Sequence, residues 1–423
     1  MASRPSSTST SRAFSDPIES DRGSSFLFLR VFLTRTGIRF AGRRSSALLK
    51  GGGVVVLGVA LALAAIETAM RVVGWGAVQT LAYGRGHYHP DLPEVGYAGR
   101  PNVSGIQSAE GVSRVAFNSH GFHDLEHDRA KPADAFRIVV IGNSYSVAEQ
   151  VAREHGYVAK LAENLRGCPS LAGREVETIN LGVDGFTIHQ QFLMLRDYGL
   201  TFSPDMVLLQ VNDFVVPGDL DPLKNFSPRL EQAEAGIIVN LSYLDTPDYR
   251  EKSSNAANLL QQASDHSRLL QYLLQYRRAR ARTAAKPEAA PAVDEAAIYE
   301  SYRRGRDLAF GEIASLVQAH DIRFAVTITP EADALSDRPL APNPLRRDWM
   351  TLAQSVNAPL LDIEEEARAQ VRRTGAWLHG FGAQTGTGHL NRAGNAVFAQ
   401  ALAPRICGLL GDTFAEAGPI LRR

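Results

Sequence analysis

The stretch "RIVVIGNSYSVAEQV" (137–151) carries an apolar run, Ile138 to Ile141, into Gly142 and then presents two hydroxyls, Ser144 and Ser146, before a helical pattern begins. A buried strand that turns on a glycine into a helix is the repeating joint of a parallel α/β sheet. Four more runs share its texture: "VETINLG" (176–182), "DMVLLQV" (205–211), "IRFAVTI" (322–328) and "APLLDI" (358–363). They are β-branched and apolar on both phases, as strands covered on both faces must be. Helical patterns alternate with them at 147–165, 189–200, 259–282, 296–320, 346–356 and 392–410. The expectation is an α/β, three-layer, flavodoxin-like doubly wound parallel sheet of about five strands, with its chemistry gathered at the carboxyl ends of the strands.

Composition sets the outer limits. The chain has 423 residues, 44% of them hydrophobic, and 45 basic against 45 acidic side chains, so no net charge argues for nucleic acid as a partner. The charge is uneven along the chain, however. Between Arg22 and Lys50 stand seven basic residues and no acidic one, and the uncharged run "GGGVVVLGVALALAAI" (51–66) follows at once. A helix through that run rises about 24 Å, and extension through "ETAMRVVGW" to Trp75 lets it cross a bilayer, with Glu67 and Arg71 near the far headgroups. The basic flank places the N-terminus in the cytoplasm and the remainder outside it, with a cleaved signal peptide as the alternative. The chain then divides into a basic Ser/Arg-rich segment (1–50), read as disordered, an anchor (51–75), an extended lead-in (76–132) and a catalytic-type domain (133–415). Two excursions interrupt the last of these, a polar, loop-like segment at 217–254 and an Ala/Pro-rich linker at 280–297. Cys168 and Cys407 are read as unrelated buried thiols in preference to a disulfide.

The strand ends carry the candidate reactive groups. The first offers Ser144, the second Gly185 within "NLGVDG", the third Asn212 within "VND", and the junction before the last helix offers His389 in "GTGHLNRAGNAVF". A serine beside a histidine base, with backbone N–H groups and a carboxamide aimed at one point, is the equipment of acyl transfer. Each residue alone also has a plain structural reading: Ser144 as a helix cap, Gly185 as a turn glycine, Asn212 as a loop cap, His389 bonding a carbonyl. "HYHPD" (87–91) supplies His87, His89 and Asp91, too few ligands for a metal site, and no metal or cofactor is expected.

Taken in order, these four blocks resemble the SGNH, or GDSL-type, hydrolases, and "FNSHGF" ahead of "FRIVVIGNSYS" resembles a subgroup with an N-terminal membrane segment. The resemblance implies Ser144 as nucleophile, His389 as base, and the N–H groups of Ser144 and Gly185 with the Asn212 side chain as oxyanion donors. It further implies a carboxylic ester substrate, such as an O-acetyl group on a glycan or lipid. Three positions depart from the family pattern: Asn143 replaces an aspartate, Gln210 a glycine, and Gly386 the aspartate of Asp-x-x-His. The last matters most, because loss of the orienting acid costs about 10⁴-fold in a serine hydrolase. Either a carbonyl near Gly386 orients His389, or an acid such as Asp213 or Asp184 does, or the site has decayed into a binding site. An exported membrane esterase leads, with a polysaccharide O-acyltransferase and an inactive binding protein behind it.

Overall fold

The structure, a computed structural model, describes residues 45–73, 94–107, 110–215, 217–284, 295–330, 332 and 343–415. Two compact units are distinguished, Met1–Ala62 and Leu63–Arg423. The first is described only through part of helix α1 (Ser45–Val73), whose segment Gly53–Val73 is long and apolar enough to cross a membrane. The "HYHPD" stretch and most of the 280–297 linker lie outside the described residues.

In chain order the second unit continues with a hairpin, β1 (Ser104–Gln107) and β2 (Ser113–Ala116), then β3 (Ala135–Ile141), α2 (Ser144–Val147), α3 (Tyr157–Leu165), β4 (Glu175–Asn180), α4 (Ile188–Asp197) and β5 (Met206–Asn212). Next come α5 (Pro217–Leu220), α6 (Pro222–Asn225), a second hairpin β6 (Arg229–Ala233) and β7 (Gly236–Asn240), α7 (Pro247–Lys252), α8 (Asn255–Asp265), α9 (Arg268–Ala284) and α10 (Glu295–Ala319). Strand β8 (Arg323–Thr329), α11 (Pro344–Ser355), β9 (Leu360–Asp362), α12 (Glu364–Thr374) and α13 (Arg392–Ala415) complete it.

Five strands form one parallel sheet in the order β4-β3-β5-β8-β9. The order reverses at β3, with β4 on one side and β5 on the other, so the end of β3 is the topological switch point where doubly wound sheets open a crevice. The alternation of side chains explains the two cores. Val139, Ile141, Val207, Leu209, Val326 and Ile328 face one layer with Phe192 of α4, Phe310 of α10 and Trp349 of α11. Ile138, Val140, Met206, Leu208 and Ala325 face the other, with Leu161 of α3 and Phe398, Leu402 and Ile406 of α13. Period-two alternation between two apolar layers is why these runs read as hydrophobic throughout.

Strand positions agree with the expectation to within two residues, whereas several connections differ. The 147–165 pattern is broken: Ala148 has φ of +51° and Gly156 an extended conformation, so α2 stops and α3 starts afresh. The 259–282 pattern divides at His266, where Ser267 restarts the chain as α9. The 217–254 segment is more ordered than a loop, containing β6–β7 and three short helices, because Phe226, Tyr243 and Tyr249 build a small core of their own. The thiol reading is corrected outright, since Cys168 and Cys407 are bonded, stapling the end of α3 to α13 across 239 residues of sequence.

A cross-link closing so long a loop restricts the unfolded chain most. We therefore expect Cys168→Ser to cost about 3–5 kcal/mol of stability, read from urea unfolding, and the parent under reductant to match it. An unchanged midpoint in both measurements would show that the bond contributes nothing.

Candidate active site

At the end of β3 the chain must turn sharply between two packed neighbours. A Cβ on Gly142 would lie 2.1 Å from Ser146 Oγ and 2.7 Å from Gln210 Oε1, so only glycine fits. Asn143, not Ser144, caps the following turn, its Oδ1 accepting from the N–H of Tyr145 at 3.3 Å. With Asn143 as the cap, the Ser144 hydroxyl is left uncommitted to the turn's backbone. The two serines then part. Ser146 is buried against the Tyr157 hydroxyl (2.7 Å) and Gln210 Oε1 (3.1 Å), while Ser144 Oγ lies 2.8 Å from His389 Nε2.

His389 sits on the loop before α13, fixed from two sides. Its carbonyl accepts from the N–H of Gly380, and the Tyr145 ring packs beside the imidazole at 4.9 Å between centroids. The other ring nitrogen answers the question posed by Gly386. Nδ1 is 2.5 Å from Glu110 Oε2, and the His389 backbone N–H donates to Glu110 Oε1, also at 2.5 Å. With the Nδ1 proton directed at this carboxylate, Nε2 becomes the acceptor for the Ser144 hydroxyl. Glu110 comes from the β1–β2 hairpin, 279 residues away in sequence. Two glycines make room for it: a Cβ on Gly388 would meet Oε1 at 1.9 Å, and one on Gly111 would meet the Phe381 ring at 2.7 Å.

The alternatives raised by the sequence are thereby corrected. Asp213 is engaged by Arg346, and Asp184 offers its carbonyl to the Tyr97 hydroxyl; neither supplies the contact to Nδ1. The Gly386 region does not stand in for the acid either. Its N–H donates to the His379 carbonyl, its φ is +80°, and a Cβ there would lie 2.8 Å from the Trp377 ring.

Asn212 ends β5, and its Oδ1 accepts from Gln210 Nε2 at 2.8 Å, which leaves the Nδ2 donor directed elsewhere. Gln210, fully buried, is the hub of this end of the sheet: Oε1 accepts from the Asn143 N–H and from Ser146, while Nε2 also reaches Thr329 Oγ1. Gly185 lies in the turn after β4 with φ of +70°. Asn143, Asn212 and Phe186, the neighbour of Gly185, line one cavity of about 20 Å³, which Ser144, Gly185 and His389 do not border. Glu110 and Gln210 were the residues missed as participants. An acid in a Glu-Gly turn of a short hairpin carries no signal of its distant partner, whereas Gln210 was visible as a departure without an assigned purpose.

No protein-family model matches the chain, and no curated protein is similar to it in sequence. Similar solved structures include an acetyl xylan esterase at 16% identity and TM-score 0.35, covering 64% of this chain and 100% of that one. A lipase/acylhydrolase from Enterococcus faecalis is similar at 15% identity and TM-score 0.33, covering 65% and 96%. A catalytic mutant of an acetylxylan esterase from Geobacillus stearothermophilus is similar at 13% and 0.35, covering 64% and 94%. At these identities and TM-scores the likeness is weak, and the site is read from this chain's own side chains.

Electrostatics separate three groups near the site. Burial disfavours the Glu110 charge, yet its hydrogen bonds to His389 and the attraction of that imidazole outweigh burial and hold the carboxyl below the usual range. His379, buried beside Tyr145, is held neutral, its burial lowering it to about 4 against a backbone hydrogen bond to Pro330. Glu149 goes the other way. Burial first, and the nearby Asp184 second, push it up to about 8, and its Oε1 lacks a hydrogen-bond partner among the described residues.

A carboxyl raised on folding keeps a proton that the unfolded chain releases, so stability falls as pH climbs from about 4.5 to about 8. Glu149→Gln removes that fall. The variant should unfold at a higher temperature than the parent at pH 8 and near the parent's at pH 4.5; equal gaps at both pH values would place the Glu149 titration elsewhere.

Proposed function

We propose that this chain is a membrane-anchored, exported serine esterase of the SGNH type. One observation carries the reading: a single imidazole contacts Ser144 Oγ at 2.8 Å through Nε2 and Glu110 at 2.5 Å through Nδ1. In the first half-reaction His389 Nε2 takes the Ser144 proton as Oγ attacks the ester carbonyl carbon, and Glu110 stabilises the imidazolium. The carbonyl oxygen becomes an oxyanion, for which the N–H groups of Ser144 and Gly185 and the Asn212 carboxamide are the assigned donors. The carbon–oxygen bond to the alcohol then breaks, the imidazolium proton passes to the departing alkoxide, and the acyl group remains on Ser144. Water, giving its proton to the same Nε2, attacks that acyl group; the bond from its carbon to Ser144 Oγ then breaks, the imidazolium proton returns to Oγ, and the acid leaves.

The basic flank ahead of α1 supports a cytoplasmic N-terminus, and the Cys168–Cys407 bond suits an oxidising compartment beyond the membrane. A carboxylate touching Nδ1 also argues against a decayed site, since it restores the orienting group that Gly386 lacks.

The test is hydrolysis of p-nitrophenyl acetate by the full chain, with labelling by a fluorophosphonate. Ser144→Ala should abolish both, and Glu110→Gln should lower kcat by roughly 10³–10⁴-fold with little change in KM. Gly386→Asp, which restores the family motif, should bring no gain, because its side chain meets Trp377 and the acid's place is filled. Activity independent of Ser144 or of Glu110 would overturn the assignment, and acetyl transfer to a glycan without net hydrolysis would make the protein an O-acyltransferase instead.

A further inference from the structure

Helix α1 ends against another helix. Glu67, the first charged residue after the uncharged run, accepts from the Arg268 N–H (2.9 Å) through Oε1 and from the Leu269 N–H (3.0 Å) and Ser267 hydroxyl (3.1 Å) through Oε2. Arg71 joins the same contact, donating to Glu67 and, at 2.7 Å, to the His266 carbonyl. Residues 63–73 and α9 belong to one compact unit, so this is a structural joint within it. A carboxylate on the first free N–H groups of a helix satisfies those donors and the positive end of its dipole.

The joint fixes a level. Glu67 stands six residues before Val73, about 9 Å back along α1 at 1.5 Å per residue, so α9 begins beside the last uncharged turn of the membrane-length helix. With the uncharged run 51–66 in the hydrocarbon and Glu67 to Val73 among the far headgroups, that level is the headgroup boundary. The exposed face of α9 suits such a place. Tyr272, Leu273, Tyr276, Arg277 and Arg280 are all exposed, and their spacing puts them on one arc of about 140°. Leu273 and Tyr276 are 51% and 53% exposed, and Leu259 of the adjoining α8 is 68% exposed. The Arg280 guanidinium lies over the Tyr276 ring at 5.8 Å. From Arg268 to Ala284 the sequence has five arginines and no acidic residue. Leucine and tyrosine at the start with arginines toward the end is the composition of a helix lying in a membrane surface that carries negative charge.

We infer that α8 and α9 form an interfacial platform seated in the headgroup region of the bilayer that holds α1. Their leucines and tyrosines rest at the acyl boundary, and the arginines meet the phosphates of anionic phospholipids. The inference rests on reading α1 as a membrane anchor. It adds a second attachment within the catalytic unit, so that this unit is oriented at the surface and not merely tethered to it.

The experiment uses the full chain in phosphatidylcholine vesicles with and without phosphatidylglycerol. Single cysteines at Leu273→Cys and Tyr276→Cys, with Glu365→Cys on α12 as reference, carry a nitrobenzoxadiazole probe; Cys168 and Cys407 are already bonded. Lipids with nitroxide groups near the headgroup should quench the 273 and 276 probes roughly twofold or more, and the 365 probe negligibly. Arg277→Gln with Arg280→Gln should weaken that quenching in phosphatidylglycerol vesicles and leave it unchanged in phosphatidylcholine alone. Water-like, unquenched emission at 273 and 276 in protein that resists alkaline carbonate extraction would overturn the platform while leaving the anchor intact. Blue-shifted emission without lipid quenching would overturn it in favour of a protein neighbour on this face. Release of the protein by carbonate would overturn the anchor and the platform together.

Discussion

The two-point grip of Glu110 on His389 is the contact on which the site depends. One carboxylate oxygen meets Nδ1 and the other takes the backbone N–H of the same residue. A carboxylate that holds both ring and main chain sets the imidazole's tilt as well as its tautomer, and a few tenths of an ångström there decide whether Nε2 reaches Ser144. The hairpin that brings Glu110 must itself be held. Phe381 closes on Gly111, and the Gly388 carbonyl accepts from the Tyr145 hydroxyl, so the residue after the proposed nucleophile also supports the loop of the proposed base. Because the acid stands on a hairpin 279 residues from the histidine, its hold is a tertiary constraint and not a local one.

A second constraint lies beneath it, in the buried amides at the strand ends. Gln210 satisfies both of its functional atoms inside the sheet, tying Asn143, Ser146, Asn212 and Thr329 into one network. A half-satisfied network in such a dry place would cost more than an apolar replacement, so its completeness fixes these groups relative to each other. Asn180 does the same for the neighbouring strand, accepting from the Gly182 N–H and donating to the Ser146 carbonyl. The turn that presents Ser144 is held from below by Gln210, Asn180 and Thr329, to which no chemical step is assigned. Rigidity of this kind is what lets hydroxyl and imidazole remain aligned without substrate.

The start of α9 uses the same device for another purpose. Glu67 caps α9 as Asn143 caps α2, in each case a side-chain oxygen answering N–H groups that a helix start leaves free. One cap leaves a serine available for chemistry. The other ties residue 67 to the start of α9 within one unit.

Much of this was legible in the sequence because it is local. Strands covered on both faces show as uninterrupted apolar runs, and Gly142, Ser144 and His389 stand at junctions that the alternation of strands and helices makes visible. The breaks at Ala148 and His266 were hidden, since one residue leaving helical geometry barely disturbs a hydrophobic pattern. The hairpin within 217–254 was hidden too, because its Leu230 and Val239 find their apolar partners only in the core of the main sheet. The sequence by itself determined the parallel sheet with helices on both faces, and the strand-to-helix junctions at which Ser144 and His389 stand. Only the tertiary structure decided that Cys168 meets Cys407 and that Glu110, and not Asp184, Asp213 or a carbonyl near Gly386, stands behind the histidine. Both are contacts across more than two hundred residues, and such pairings are chosen by the packing of whole layers, which no stretch of sequence records.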